Sequence, residues 1–415
     1  MRKSFASASI AVVLSIVLAA CGGGGDSTAS IGSGDTTALG AAPPQPTGSS
    51  APPSPGDTTT SAPTSSTPTG TTTVAVMQQP LTWTQPSGLP GNAWHWTATN
   101  PSGALMVATA IPGGVYLSRD HGVSWTPQAD LPAGPTIWIA ADMSDDGQVI
   151  VAVALNGGMY RSVDGGGRWS RIDTAFNAGE DLDYESVAVS ADGTRIVAAV
   201  MGGSLWTSAD GTADTPTFTQ ATGADGATLA AWWRAVDSDA SGLRVVAASH
   251  NGDVWMSGDG GLTFAPLAVS VGGATVADGW YRLALSRDGS TLALAGNEEY
   301  GLGVPAGNRS TGLYVGRFAA GGWTFERASA VTGNYTRVTI AAAAPVIAAT
   351  LSGSSGQVLI SSNNGSTFSA LPVPSGDSVW RSIAVTGDGA HAVLAAGTFF
   401  GDPGNLYVSS GTLRP

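Results

Sequence analysis

Cysteine occurs once in the 415 residues, at Cys21, and lysine is absent after Lys3. One cysteine excludes disulfides, thiolate zinc sites and cysteine catalysis from any folded part. The missing lysines remove a phosphate-binding P-loop, a Schiff-base lysine and a Ser–Lys dyad together. The four histidines, His95, His121, His250 and His391, are widely spaced, so a histidine metal cluster is not expected. No G-x-S-x-G elbow, H-E-x-x-H helix or G-x-G-x-x-G after a strand occurs in the folded part. Seventeen basic residues face 30 acidic ones, a formal net charge of −13. Such a chain is poorly suited to a polyanion, and nucleic acid is not an expected partner. We therefore expect no cofactor and no metal. The acidic loop Glu180, Asp181, Asp183 is read as solvated rather than as a calcium site, since no EF-hand spacing is present.

The N-terminus places Arg2 and Lys3 before the apolar run Ile10–Ala20, which is short for a bilayer span. It ends in Leu18-Ala19-Ala20-Cys21, which resembles the lipobox of bacterial lipoproteins. The resemblance implies a signal peptide over 1–20, lipidation of Cys21 with palmitate-type acyl chains, and a stable membrane anchor. Gly22 after the cysteine, rather than Asp, favours the outer membrane where a cell envelope has two. Residues 21–76 are mostly Gly, Ser, Thr, Pro and Ala, too poor in apolar surface to offset the entropy of ordering, and are read as a tether. Without Arg2 and Lys3 the balance is 15 basic against 30 acidic residues, a net of −15.

From about residue 78 the chain repeats. Turn units beginning at Ser118, Ser162, Ser208, Ser257, Gly316, Ser361 and Ser409 follow one another at intervals of 44, 46, 49, 59, 45 and 48 residues. Each period holds an aromatic-led alternating segment (WIAADMS), an apolar run (VIVAVA), a third segment (GMYRS) and a short aromatic piece (RWS). The first two are joined by turns such as SDDG or SRDG, a hairpin signal. That period suits a propeller blade. The last period lacks its fourth segment, while LTWTQ at Leu81 stands alone ahead of the first. The expectation is an all-β, seven-bladed β-propeller over 77–415, with four antiparallel strands per blade and the N-terminal strand closing the last. Closure removes the exposed sheet edges of an open array.

The turn SRDHGVSW places Asp120 to accept backbone N–H groups, Gly122 to take a positive φ, and Trp125 to enter the sheet packing. The unit resembles the Asp-box, or BNR repeat, of sialidase-like and sortilin-like propellers. The matching positions are Ser118, Asp120, Gly122 and Trp125; Ser162, Asp164, Gly166 and Trp169; and Ser257, Asp259, Gly261 and Phe264. The Ser208 unit carries an insertion, the Ser361 unit has Asn363 for Asp, and the Gly316 unit lacks the acid. In that superfamily the boxes are structural turns away from the usual ligand entrance, and a structural role is expected here.

At the opposite end of the blades, each innermost strand carries an aromatic: Trp94, Trp138, Tyr184, Trp232, Trp280, Tyr335 and Trp380. Ring packing between blades accounts for these. Arg234, Arg282, Arg337 and Arg381 lie beside them, and an all-β core has no need of arginines. With His95, Trp96, Tyr184, Trp233 and Tyr281 they are the candidate ligand-binding residues, suited to a carboxylate or sulfate and to stacking on a sugar. Sialidases combine Asp-boxes, three arginines and a Tyr–Glu pair, to which Tyr184-Glu185 is similar. They have six blades and an Arg-Ile-Pro motif, however, where this chain has Ala110-Ile111-Pro112. No catalytic residue is assigned; Glu185 and Asp237 are the weak candidates for a glycosidase or lyase acid pair. Photosystem II assembly-factor propellers and xyloglucan-degrading enzymes are further seven-bladed relatives by resemblance. The expected function is a membrane-anchored, extracytoplasmic, monomeric module binding a glycan, peptide or envelope protein. An envelope assembly factor and a sialidase-like hydrolase or lyase are the alternatives.

Overall fold

The computed structural model describes residues 80–132, 134, 136–276, 279–297, 311–353, 356–398, 403–411 and 413. These belong to a compact unit that begins at Val74. The expected signal segment, Cys21 and the tether lie outside the described residues, as does most of the long insertion after Asn297.

The alternating segments form antiparallel sheets in chain order. Ala93–Thr99, Met106–Ile111, Val115–Ser118 and Thr126–Pro127 make the first, and Ile137–Met143 with the three strands that follow it makes the second. Trp280–Leu285 and Asn334–Ile340 head two more sheets of four. The sheet headed by Trp380–Val385 runs outward through Ala392–Ala396 and Leu406–Ser410 and takes Thr82–Thr84 as its outermost strand. There Trp83 pairs with Ser409, and its indole N–H donates to the Pro372 carbonyl at 2.8 Å.

One region departs from the expected separate sheets. The second and third segments of one unit, RIVAAV and SLWTS, are continuous, and Ile196–Ser208 runs as one strand of 13 residues. It turns through Gly202 at φ +69° and pairs with Ala230–Trp232, so two units join in an eight-stranded sheet. Gly202 and Gly203 allow this because the first takes a left-handed conformation without a Cβ penalty.

The core lies between the sheets. Val107, Trp138 and Val153 pack together with Tyr184, joining the first three units. Further clusters join Val197 to Trp233, Val246 to Trp280, Leu313 to Tyr335, and Val346 to Trp380. The last cluster packs Ala384, Val393 and Leu406 against Trp94 and Met106, bringing the end of the chain onto its first sheet and closing the ring. Each large apolar side chain so buried contributes roughly 1.5–3 kcal/mol.

The Asp-bearing turns are hydrogen-bonded staples. Ser118 Oγ donates to Asp120 Oδ1 and accepts Gly122 N–H, each at 2.8 Å. Asp120 in turn accepts Ser124 N–H at 2.9 Å and its hydroxyl at 2.6 Å. The same pattern joins Ser162, Asp164 and Gly166, and Ser257, Asp259 and Gly261. Gly122, Gly166 and Gly261 all have φ between +85° and +87°. Trp125 is half-buried, whereas Trp169 and Phe264 are buried. At the unit lacking Asp, Asn363 Oδ1 accepts Ser361 Oγ and Thr367 N–H, so the amide does the work of the carboxylate. The inserted turn keeps its staple too, with Thr217 bonded to Asp210 at 2.8 Å. The side-chain hydrogen bonds of Asp120, Asp164 and Asp259 all lie within their own turns.

Candidate ligand site in the central channel

The innermost strands share a feature that the sequence pattern did not reveal. Each carries a register shift immediately after its aromatic, at Trp94/Trp96, Trp138/Ala140, Tyr184/Ser186, Trp233/Ala235, Trp280/Arg282, Tyr335/Arg337 and Trp380/Ser382. A bulge leaves one residue unpaired and re-aims its side chain. The bulged residues are His95, Ile139, Glu185, Arg234, Tyr281, Thr336 and Arg381, so the bulge turns mostly polar groups toward one another.

This register corrects one expectation. The residue at the register position of Trp94 and Trp280 is Trp233, which is fully buried, whereas Trp232 pairs with Met201 of the preceding unit. The inner turn of that sheet starts one residue later, at Asp239, which shifts the count. Trp233 and Tyr184 were candidate ligand contacts, but both are interior packing groups. Trp233 sits among Leu205, Val245 and Phe264, and the Tyr184 phenol donates to Asp173 at 2.9 Å. Burial, with the Asp173 carboxylate beside it, raises the Tyr184 phenol above its ordinary range.

The remaining candidates do meet. Glu185 accepts Arg234 Nη1 at 2.6 Å, and Arg282 Nη1 lies 3.8 Å from its other oxygen. Arg282 also donates to the Arg234 and Tyr281 carbonyls at 2.9 and 3.0 Å, and its guanidinium lies 4.0 Å from the Tyr281 ring centre. Arg337 stacks on the Trp96 indole at 3.5 Å, and that indole N–H donates to the Ala141 carbonyl at 2.7 Å. Arg381 is hydrogen-bonded to His95 Nε2 at 2.8 Å, while His95 Nδ1 lies 3.0 Å from the Ile139 carbonyl. A guanidinium only donates, so Nε2 accepts and the ring is neutral with its proton on Nδ1.

The field of these guanidiniums is visible on its neighbours. Burial, then Arg381, Arg282 and Arg337, hold His95 well below its usual range. Burial works to raise Tyr281, yet Arg282 and Arg381 bring its phenol below its ordinary value. Glu185 is the one described carboxylate ion-paired within this tier. The tier therefore carries an excess of positive charge among the described residues.

One residue past the bulged positions stand Trp96, Arg282 and Arg337, with the smaller Ala140, Ser186, Ala235 and Ser382 at the equivalent places on the other strands. Two more residues on, the equivalent positions are Ala98, Asp142, Ala188, Asp237, Ala284, Thr339 and Ala384. Small side chains there leave a cavity of about 120 Å³ below Trp96, Arg282 and Arg337, reaching the inner turns at Pro101 and Gly387. Asp142 accepts Val189 N–H at 2.7 Å, and Asp237 accepts Leu285 N–H and Ser238 N–H, each at 2.8 Å. Burial, then the Asp237 charge, raise Asp142 to about 6, and burial raises Asp237 as well.

Glu185 and Asp237, the weak candidates for an acid pair, occupy different tiers. Glu185 is bound by arginines, and Asp237 stands three register positions along the neighbouring strand, about 10 Å of strand rise. The acidic loop is engaged by Arg171, which lies 3.0 Å from Asp181 and donates to the Glu180 carbonyl. No group of three or more potential metal ligands occurs among the described residues.

No family model matches this chain, and no curated protein matches it in sequence. Solved structures do. The GH74 xyloglucanase of Xanthomonas campestris superposes with a TM-score of 0.55 at 18% identity, over 81% of this chain. This chain spans 54% of the length of that enzyme. The Cps50 (Swd1) β-propeller domain of Myceliophteria thermophila gives 0.58 at 11% identity, covering 79% of this chain and 99% of that one. A structure of YCF48 bound to D1 peptide gives 0.56 at 14% identity, covering 82% and 98%. Identities this low carry the fold and nothing finer, and the sheets closing around a central channel agree with them: this chain is an all-β protein of the β-propeller fold.

Proposed function

We propose that this protein is a non-catalytic binding module whose ligand presents a carboxylate or sulfate to Arg234, Arg282 and Arg381 at the bulged end of the channel. The observation that carries this reading is the gathering of these guanidiniums and His95 around Glu185, the one ion-paired carboxylate of this tier among the described residues. Planar guanidiniums bind oxyanions with paired N–H donors, and a low-dielectric setting strengthens each bond. Tyr281 and Trp96 supply aromatic faces beside the charges. The YCF48 structure that holds D1 peptide makes a peptide a reasonable ligand class, ahead of a glycan.

Calorimetric titration of the full chain tests this with short peptides ending in a free carboxylate, the same peptides amidated, and uronic-acid oligosaccharides. The free acids should bind at least about tenfold more tightly than the amides. The combined Arg234→Ala, Arg381→Ala variant, shown by its melting curve to be folded, should lose that difference. Equal binding of acid and amide, or an unaffected variant, rejects the site.

The wider reading is a seven-bladed propeller of the BNR/Asp-box superfamily, counting one bulged inner strand per blade, with the Leu81–Gln85 segment completing the last. The Leu18–Cys21 motif supports a lipid-anchored protein of the bacterial cell envelope, tethered by residues 21–76, extracytoplasmic and monomeric. An envelope assembly factor is the second reading, favoured by the same peptide-bound YCF48. A glycoside hydrolase stands behind both, because Glu185 is held by arginines and Asp237 lies in a different tier.

A further inference from the structure

The cavity at the other end of the channel differs in charge from the arginine tier above it. Its roof carries Arg337 and Arg282, whose Nε atoms are buried without a hydrogen-bond partner among the described residues. Its wall carries Asp142 and Asp237, with Arg287 beside them, ion-paired to Asp145 at the rim. Among the described residues, no ion pair joins Arg337 to either carboxylate. The register sets Arg337 and the two aspartates two residues apart along the strands, about 7 Å of strand rise.

Buried charges of opposite sign cost several kcal/mol each when they are left apart. Side chains free to move would close such a gap. Here Asp142 is held by Val189 N–H, Asp237 by Leu285 N–H, and Arg337 by its stack on Trp96. The three are fixed around an open space of about 120 Å³. That volume exceeds one water by several-fold, since about 10–15 Å³ on this measure holds one. Several waters or one small molecule fill such a space, and a molecule charged at both ends would meet both sets of side chains.

We propose that this cavity is a second binding site, for a small zwitterion whose carboxylate meets Arg337 and Arg282 and whose ammonium group meets Asp142 and Asp237. The proposal shares Arg282 with the reading above and otherwise stands on different residues. Access runs past the inner turns at Pro101 and Gly387, on the side of the Asp-bearing turns rather than the bulged end. The charge separation sets the specificity: a lone anion leaves the aspartates unmet, and a lone cation leaves the arginines unmet.

The test uses the full chain at neutral pH, titrated with glycine, β-alanine and 4-aminobutyrate, and in parallel with acetate and ethylammonium. Saturation-transfer NMR and the shift in thermal midpoint report binding. At least one zwitterion should bind about tenfold or more tightly than both single-charge probes. Asp142→Asn, which keeps an acceptor for Val189 N–H, and Arg337→Gln should each abolish that preference with the fold intact by circular dichroism. Should either variant unfold, the wild-type comparison among the five probes still decides. No zwitterion binding at millimolar concentration, as a merely water-filled channel would give, overturns the proposal, and so does acetate binding as well as glycine. Failure here with peptide-carboxylate binding intact leaves the function above standing; the converse pattern rejects that function and keeps this site.

Discussion

His95 and Arg381 are 286 positions apart in the chain, yet they share a buried hydrogen bond of 2.8 Å. One belongs to the first inner strand and the other to the last, so this contact spans the seam where the ring closes. It also places a titratable acceptor against a permanent cation.

The sign of the pH effect follows from that arrangement. The folded pKa of His95 lies below its unfolded value near 6.5, so the unfolded chain binds the proton more readily. The stability associated with neutral His95 is complete above pH 6.5 and declines as pH falls below it. Urea denaturation between pH 5 and 7.5 should show this decline in the wild type. His95→Gln, which keeps an acceptor and does not titrate, should flatten it; an unchanged slope would show that another group is responsible.

Asp142 should act in the opposite direction. Its pKa is raised to about 6 from 3.8, so the folded chain holds the proton more tightly. The penalty is absent below pH 3.8 and complete above about 6. Asp142→Asn should therefore stabilise the protein at pH 7, by no more than about 3 kcal/mol, and leave it little changed near pH 4. Chemical denaturation of both proteins at the two pH values measures the difference.

Strand Thr82–Thr84 completes its sheet beside Leu406–Ser410, and Trp83 is its half-buried anchor. It packs on the cluster containing Trp380 and Leu394 and bonds the Pro372 carbonyl. Trp83→Ala should lower stability by about 2 kcal/mol, below the range for a fully buried tryptophan because this ring is half-buried. Loss of the strand also exposes the Leu406–Ser410 edge, so light scattering should reveal association that grows with concentration.

The Asp-bearing turns should affect stability and leave ligand binding alone. Asp259 accepts Leu262 N–H, Thr263 N–H and the Thr263 hydroxyl. Asp259→Ala should cost about 1–2 kcal/mol by thermal denaturation, with peptide titrations unchanged. Although burial opposes it, hydrogen bonding lowers the Asp259 carboxyl, so its contribution is lost as pH falls below the usual carboxylate range. Asn363→Asp should be neutral or stabilising, since Thr367 N–H and hydroxyl already stand where a carboxylate is used in the other turns. A Thr367 hydroxyl now accepting from the Asn363 amide would simply turn round to donate.

Much of this protein is legible in the chain itself. The recurring alternation of Ile137–Met143 and its counterparts specifies strands with buried faces, and the Ser-x-Asp turns specify hairpins, because period-two patterning and turn chemistry are local properties. The unmatched LTWTQ also pointed to its place beside the last sheet, since a missing outer strand and a spare one define the same edge. The bulges were not legible. They arise where an inner strand must curve around the axis, and nothing local separates Trp232 from Trp233 until one is paired with Met201 and the other with Ser249. Tyr184 and Glu185 are neighbours in sequence, but the bulge sends one toward Asp173 and the other to Arg234. The sequence alone determined strands, turns and the stock of arginines; only the closed ring decided which of them face a common space, because convergence on an axis depends on every sheet at once.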